Sequence, residues 1–403
     1  MNKKVVLGIM CSLAVIFAAC EHKDLYQGAG EVEDLKVPAG FDWNMSKDVA
    51  LTISAPIKTS VDVYEDAGCN ELLATLDVSP DVITYNLSTR SDAGSLYVQY
   101  LKSDGKTVTT TPVTIVSAKT ASGESAEIKL PEDTGKGNNH DGWIYYPAKV
   151  KGWGSLFFED MWPQTGDYDF NDFAAWYKIQ VAPGAILLGV RLNALGGYLP
   201  YQLCLQIDGL AAKNIIRTTN YATGDPLMNT FELETKGETD AVFSFDWKDK
   251  KASHGGQYYN TELKYKVPVA ELDGNLISFL IELNGNVSVS QLKHTSFNFF
   301  IRRTDNGKEI HLRGYEPTAA FKAEYDKIVS ENSDILNPDI PYCASNGLVW
   351  GLKIPKGVNH AQEGIDFTKA YKFFGEWVTS DGKDKKNWYE ENAGKEYRIE
   401  VNK

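Results

Sequence analysis

Residues 157–173, FFEDMWPQTGDYDFNDF, restrict this chain more than any other stretch, because aromatic arms flank a turn and seven positions carry carboxylate or carboxamide groups. Asp167, Asp169 and Asn171 alternate with Tyr168 and Phe170. In an extended chain that spacing puts the oxygens on one face and the rings on the other. The pattern predicts a hard-cation site or a tightly hydrogen-bonded acidic turn seated on aromatic core.

Calcium takes about six to eight oxygen ligands and accepts carboxylates, carboxamides and carbonyls together. The expected ligand set is Asp160, Asp167, Asp169, Asn171 and Asp172, with Glu159 close by. An EF-hand is excluded: Asp172 stands where that loop needs its glycine, and Lys178 where it needs its bidentate glutamate. In the metal-free alternative the acids accept backbone N–H groups above Trp162, Tyr168, Phe170 and Phe173. Like charges at this spacing repel, which favours a calcium ion with a structural role.

The chain opens with an export signal. Lys3 and Lys4 precede the apolar run VVLGIMCSLAVIFAA, which closes on Ala18 and Ala19 before Cys20. The run is short for a bilayer span, so residues 1–19 are read as a cleaved signal peptide. Phe17-Ala18-Ala19-Cys20 resembles a bacterial lipoprotein box, which implies an acylated Cys20 anchoring the mature chain to a membrane. Loss of residues 1–19 takes the formal charge from -13 to -15. That excess of acid argues against a nucleic-acid partner. Cys69, Cys204 and Cys343 remain, enough for at most one disulfide, and they lack the spacing of a zinc or CxxC redox site.

Residues 20–40 read as the acylated cysteine and a polar tether. Between 41 and 118 lie short alternating runs such as DVALTISAP, SVDVYED and SLYVQYL, separated by turn residues. They predict a small antiparallel β-sandwich, with a hairpin turning at Ser103–Lys106. Residues 119–142, rich in Ser, Gly, Asn and Asp, read as a linker. From 143 to 403 further strand-like runs predict a larger β-sandwich or jelly-roll-like domain, and Thr304–Gly307 marks a second hairpin. Helical spacing occurs only near 321–329 and 365–378, where Ala370, Tyr371, Phe374 and Trp377 recur. The expected class is therefore all-β with minor α.

Three motifs follow one another in order: FEDMWPQTGDYDFNDF at 158–173, EIHLRGYEPT at 309–318, and WGLKIPKG with AYKFFGEWVTSDGKDKKNWY at 350–389. Together they resemble the LruC-domain family of exported bacterial proteins, many of them lipoproteins of Gram-negative bacteria. The resemblance spans most of 141–403 and implies an exported, β-rich, lipid-anchored protein of the cell envelope, at the outer membrane. It departs at Leu312-Arg313-Gly314, where that family usually reads LPG. The family's function is unknown, so the resemblance supplies no reaction.

No HExxH, GxSxG or glycine-rich phosphate loop occurs, and the histidines are scattered. The sequence thus predicts a non-enzymatic envelope protein that binds, adheres or assembles, its partner a protein or a glycan. For the glycan alternative, Trp143, Tyr145, Trp153 and Trp162 are the candidate stacking rings, against their use as core.

Overall fold

The computed structural model describes residues 32–117, 123–137, 142–150, 152–225, 229–248, 250, 258–285, 287–288 and 292–401. The signal peptide, Cys20 and residues 21–31 lie outside the described residues. The protein is a mostly antiparallel β-sheet structure with a few short helices, and among the described residues no helix is long and apolar enough to cross a membrane.

The N-terminal β-runs pair as two sheets. Strand Ser46–Ser54 lies antiparallel to Ile83–Arg90 and parallel to Glu124–Lys129. Strands Thr59–Tyr64, Leu72–Val78, Ser95–Leu101 and Val108–Thr114 belong to a second sheet. Alternation does the sorting: Val49, Leu51 and Ile53 turn inward from one strand and Leu96 and Val98 from another, all buried. The expected hairpin is present, with Leu101 opposite Val108. Its turn is held by Asp104, which accepts the amides of Lys106 and Thr107, and by Gly105 at φ 68°.

The second sheet does not stop at the module's edge. Strand Ile144–Tyr146 pairs with Leu72–Val78 at Ala74 and with Phe173–Ala182, so eleven strands form one sheet running from Ile215–Thr223 to Val108–Thr114. The stretch expected as a linker therefore holds strand Glu124–Lys129, and the sheet continues directly beyond it. Buried polar contacts reinforce this seam. His294 meets Ser88 Oγ at 3.0 Å through Nδ1 and the Tyr177 hydroxyl at 3.2 Å through Nε2, and its amide donates to Asp48.

Across from this sheet lies a five-stranded one, ordered Asn229–Leu233, Asp240–Trp247, Tyr201–Ala211, Phe297–Arg303 and Glu309–His311. Phe279 of the large sheet stacks on Phe231 at 4.1 Å and meets Phe243 at 5.3 Å, so the sandwich core is sealed by rings from both layers. At the Thr304–Gly307 hairpin only Gly307 has positive φ; Asn306 instead accepts the Lys308 amide with its side chain. Asn-Gly is thus used as a four-residue loop, not as the tight two-residue turn its composition predicts.

The helix expected at 321–329 occupies Lys322–Glu331. The run at 365–378 divides into Phe367–Ala370 and Phe374–Thr379, because Tyr371 leaves helical geometry at φ -129°. Phe367, Tyr371, Phe374 and Trp377 are all buried and pack around Trp388. The tether also ends earlier than its polar composition suggests. Val32 is fully buried, and Phe41 and Trp43 dock on Trp377 and Phe374 at ring distances of 4.8 and 5.9 Å. All three cysteines in the described residues are free thiols.

Candidate metal centre

Strand Gly154–Phe158 delivers the chain to Glu159, and strand Phe173–Ala182 carries it away after Asp172. The two strands pair with Phe158 opposite Phe173, which closes the acidic loop at its neck. Tyr168 and Phe170 adopt φ of 55° and 54°. The loop is therefore not the extended ribbon that the alternation predicts; each ring sits at a left-handed residue, a conformation that non-glycine residues seldom adopt. The rings are still core, since both are buried and Phe170 meets Phe367 edge-on at 5.3 Å.

This coiling brings Glu159, Asp167 and Asp169 together, with one carboxylate oxygen from each lying within 4.8 Å of the others. Twice a calcium–oxygen bond of about 2.4 Å spans that separation, so the three oxygens can share one ion. Of the expected ligand set, Asp167 and Asp169 are thus brought to a common point. Asp160, Asn171 and Asp172 are not in this carboxylate group. Asp172 Oδ2 accepts the Asp160 amide at 2.7 Å, and Asp160 Oδ2 faces the Leu199 amide. Asn171 supports the group from behind: its Nδ2 donates to Asp169 Oδ2 at 2.7 Å, and its backbone amide donates to Asp169 Oδ1 at 3.0 Å.

Glu159 is the member that the expected ligand set omits. It is fully buried and accepts the amides of Phe170 at 2.6 Å and Tyr168 at 3.4 Å. Its place at the strand end, eight residues before Asp167, gives no periodic signal. Glycines keep the space around the acids: a Cβ at Gly166 would lie 2.0 Å from Glu159 Oε2, and one at Gly196 would lie 1.8 Å from Asn171 Oδ1.

Burial, and then Asp167 and Asp169, push the Glu159 carboxyl well above the ordinary range; the Phe170 amide works the other way. Burial, Asp167 and Glu363 do the same to Asp169, partly offset by the Gly364 amide. Asp172 is raised by burial and by Asp160. The largest influences are desolvation and other carboxylates, so the cluster is comfortable only when protonated or when a cation joins it. Two ionised carboxylates at such a distance repel by roughly 3 kcal/mol at an effective dielectric near 20.

The candidate stacking rings divide differently. Trp162 is fully buried and lies parallel to Tyr325 at 5.8 Å, so it is core beneath the acidic turn. Tyr145 is also buried. Trp153 is half-buried against Trp176, with the Lys178 ammonium 4.6 Å above its ring, and Trp143 is half-buried. Burial of Trp162 and Tyr145 removes the stacking row that the sequence suggests.

Fold and site together define a β-rich chain whose two sandwiches share a sheet and whose acidic turn is locked into the core. The chain belongs to the family described as Domain of unknown function (DUF4842), which it matches over residues 185–389. The matched range begins after the acidic turn and includes the second and third sequence motifs. Among solved structures the chain is similar to a candidate lipoprotein from Bacteroides ovatus, at 23% identity over 85% of this chain and 100% of that one, with a TM-score of 0.67. That likeness shows the fold. No curated protein matches.

Proposed function

We propose that this is a non-enzymatic, lipid-anchored protein of the cell envelope, placed at the outer membrane, with a binding, adhesion or assembly role and a structural calcium site. The observation that carries the ion is the convergence of Glu159, Asp167 and Asp169 to within 4.8 Å, with Glu159 and Asp169 buried and Asp167 half-buried. Calcium fits better than magnesium, since the donors are carboxylates held by a folded loop and calcium accepts irregular, protein-rich shells. The ion would neutralise the cluster and tie the strand end at Glu159 to the turn. Its role is structural, since two of its three ligands, Glu159 and Asp169, are buried among the core rings Tyr168 and Phe170.

The anchor reading is supported by the signal, the box ending in Cys20, the LruC-like motifs and the description of the Bacteroides ovatus relative as a candidate lipoprotein. The ion is tested by thermal melting of the full chain carrying Cys20→Ser. Added calcium is expected to raise Tm, and Asp167→Ala with Asp169→Ala to abolish the rise. A wild-type melting curve that moves neither with calcium nor after exhaustive chelation in denaturant and refolding would overturn the site.

A further inference from the structure

Residues 32–43 belong to no strand or helix and lie as a strap against the C-terminal part of the chain. Asp366 accepts the Val32 amide, the Trp43 indole N–H donates to the Gly347 carbonyl at 3.0 Å, and Arg313 Nη1 donates to the Asp42 carbonyl at 3.3 Å. Two glycines leave space for its apolar side chains. A Cβ at Gly375 would lie 3.3 Å from Leu35, and one at Gly347 would lie 2.9 Å from Val37. With no sheet hydrogen bonds of its own, a segment of this kind can open locally while the rest of the fold stays closed.

The segment that holds Val32 also closes over the acidic loop. The Gly364 amide donates to Asp169 Oδ2 at 2.8 Å, and the Phe367 amide donates to the Tyr168 carbonyl at 3.0 Å. Ring contacts run beside these bonds without a break: Phe170 meets Phe367 at 5.3 Å, Phe367 meets Phe374 at 4.9 Å, and Phe374 meets Trp43 at 5.9 Å. Asp169 therefore has two tasks. It belongs to the carboxylate group that can share a cation, and it holds the backbone of Gly364. Contiguous packing and hydrogen bonds of this kind can carry coupling between an ion site and a distant segment.

We propose that calcium at Glu159, Asp167 and Asp169 fastens this strap, with Gly364–Thr368 passing the ion's hold on Asp169 to Asp366 and so to Val32. An ion fixes Asp169 where it receives the Gly364 amide. Without one, the carboxylates repel at this spacing, Asp169 is pushed from the group, and the segment carrying Asp366 loses its acceptor on the loop. The Val32 end of the strap then loosens, while Phe41 and Trp43 keep the other end against Trp377 and Phe374. The loosened end is the one toward Cys20, so the ion sets how much free chain separates the fold from the proposed anchor. Linkage makes the effect reciprocal: a docked strap strengthens calcium binding by the same factor. The inference rests on the calcium site proposed above.

The test is hydrogen exchange of the full chain carrying Cys20→Ser, in calcium and in chelator. Peptides covering residues 32–40 are expected to exchange about fivefold faster or more in chelator, and strand Ser95–Leu101 of the N-terminal sandwich to be unchanged. Asp366→Ala, which leaves the three carboxylates in place, is expected to exchange fast at 32–40 in both conditions and to bind calcium about fivefold more weakly in a titration. Equal exchange at 32–40 with and without calcium would overturn the proposal. So would a change shared equally by Ser95–Leu101, or an unaltered calcium affinity in Asp366→Ala. Melting of the same samples separates the two readings: a Tm raised by calcium with an unresponsive strap refutes the coupling alone, whereas a Tm and a strap that both ignore calcium refute the ion and the coupling together.

Discussion

The Val32 amide donates to Asp366 Oδ2 at 2.9 Å across 334 positions of sequence. The other carboxylate oxygen of Asp366 accepts the Thr368 amide at 2.8 Å and so caps helix Phe367–Ala370. Next to it, the Gly364 amide donates to Asp169 Oδ2 and the Phe367 amide to the Tyr168 carbonyl. One short segment therefore joins the first described residue, the C-terminal quarter of the chain and the acidic loop.

Asp366→Ala is expected to lower stability by about 2 kcal/mol, through loss of the helix cap and of the acceptor for a buried amide. Urea unfolding measures the loss. Limited proteolysis is expected to cut between residues 32 and 45 sooner than in the wild type, since the segment would then be held mainly by the packing of Leu35, Val37, Phe41 and Trp43. Equal stability and equal cutting would show that the clamp contributes nothing.

Glu159→Gln is expected to have effects of opposite sign with and without calcium. In chelator it removes a buried charge from a group of like charges, so Tm should rise; in calcium it removes a ligand, so the calcium-induced gain should shrink. The wild type in chelator should also lose stability as pH rises above the ordinary carboxylate range. A carboxyl whose folded pKa is raised binds its proton more tightly in the folded state, and that advantage is present at low pH and lost as pH rises through the folded value. Melting temperature against pH, with and without calcium, checks both statements.

His360 carries the opposite dependence. It is fully buried, its Nε2 donates to the Asn260 carbonyl at 2.7 Å, and burial brings its pKa down to about 4. The unfolded chain takes up this proton first, near the ordinary value of about 6.5. Stability is thus complete above that value and declines as pH falls toward 4, by up to roughly 3 kcal/mol from this residue. His360→Asn should flatten the acidic limb of the stability profile. Burial lowers His294 and His311 in the same direction, so part of the slope should remain.

Cys20→Ser is expected to release the protein from membranes into the soluble fraction and to abolish fatty-acyl labelling. Labelling that persists in the variant would refute the anchor assignment.

Strand positions such as Ser46–Ser54 and Ser95–Leu101 were legible because their apolar residues recur with period two, a property local to each strand. The acidic loop was legible as a concentration of chemistry, yet its geometry was not. Two left-handed rings, Tyr168 and Phe170, flanking Asp169, are held in place by Glu159 and Phe367, neither of which is near them in sequence. Trp162 shows the same limit from the other side: composition allowed a sugar platform, whereas contact with Tyr325 and Tyr342 made it core.

By itself the sequence determined the β-rich class, the two hairpins, the location of the acidic turn and the export signature, because each is written in a few neighbouring residues. Only the tertiary structure decided that Glu159 joins Asp167 and Asp169, that the two sandwiches share a sheet through Ile144–Tyr146, and that the chain's supposed tether docks from Val32 onward. These depend on partners separated by eight to more than three hundred residues. Such pairings leave no local periodicity, and burial and hydrogen bonding select them only once the whole core has closed.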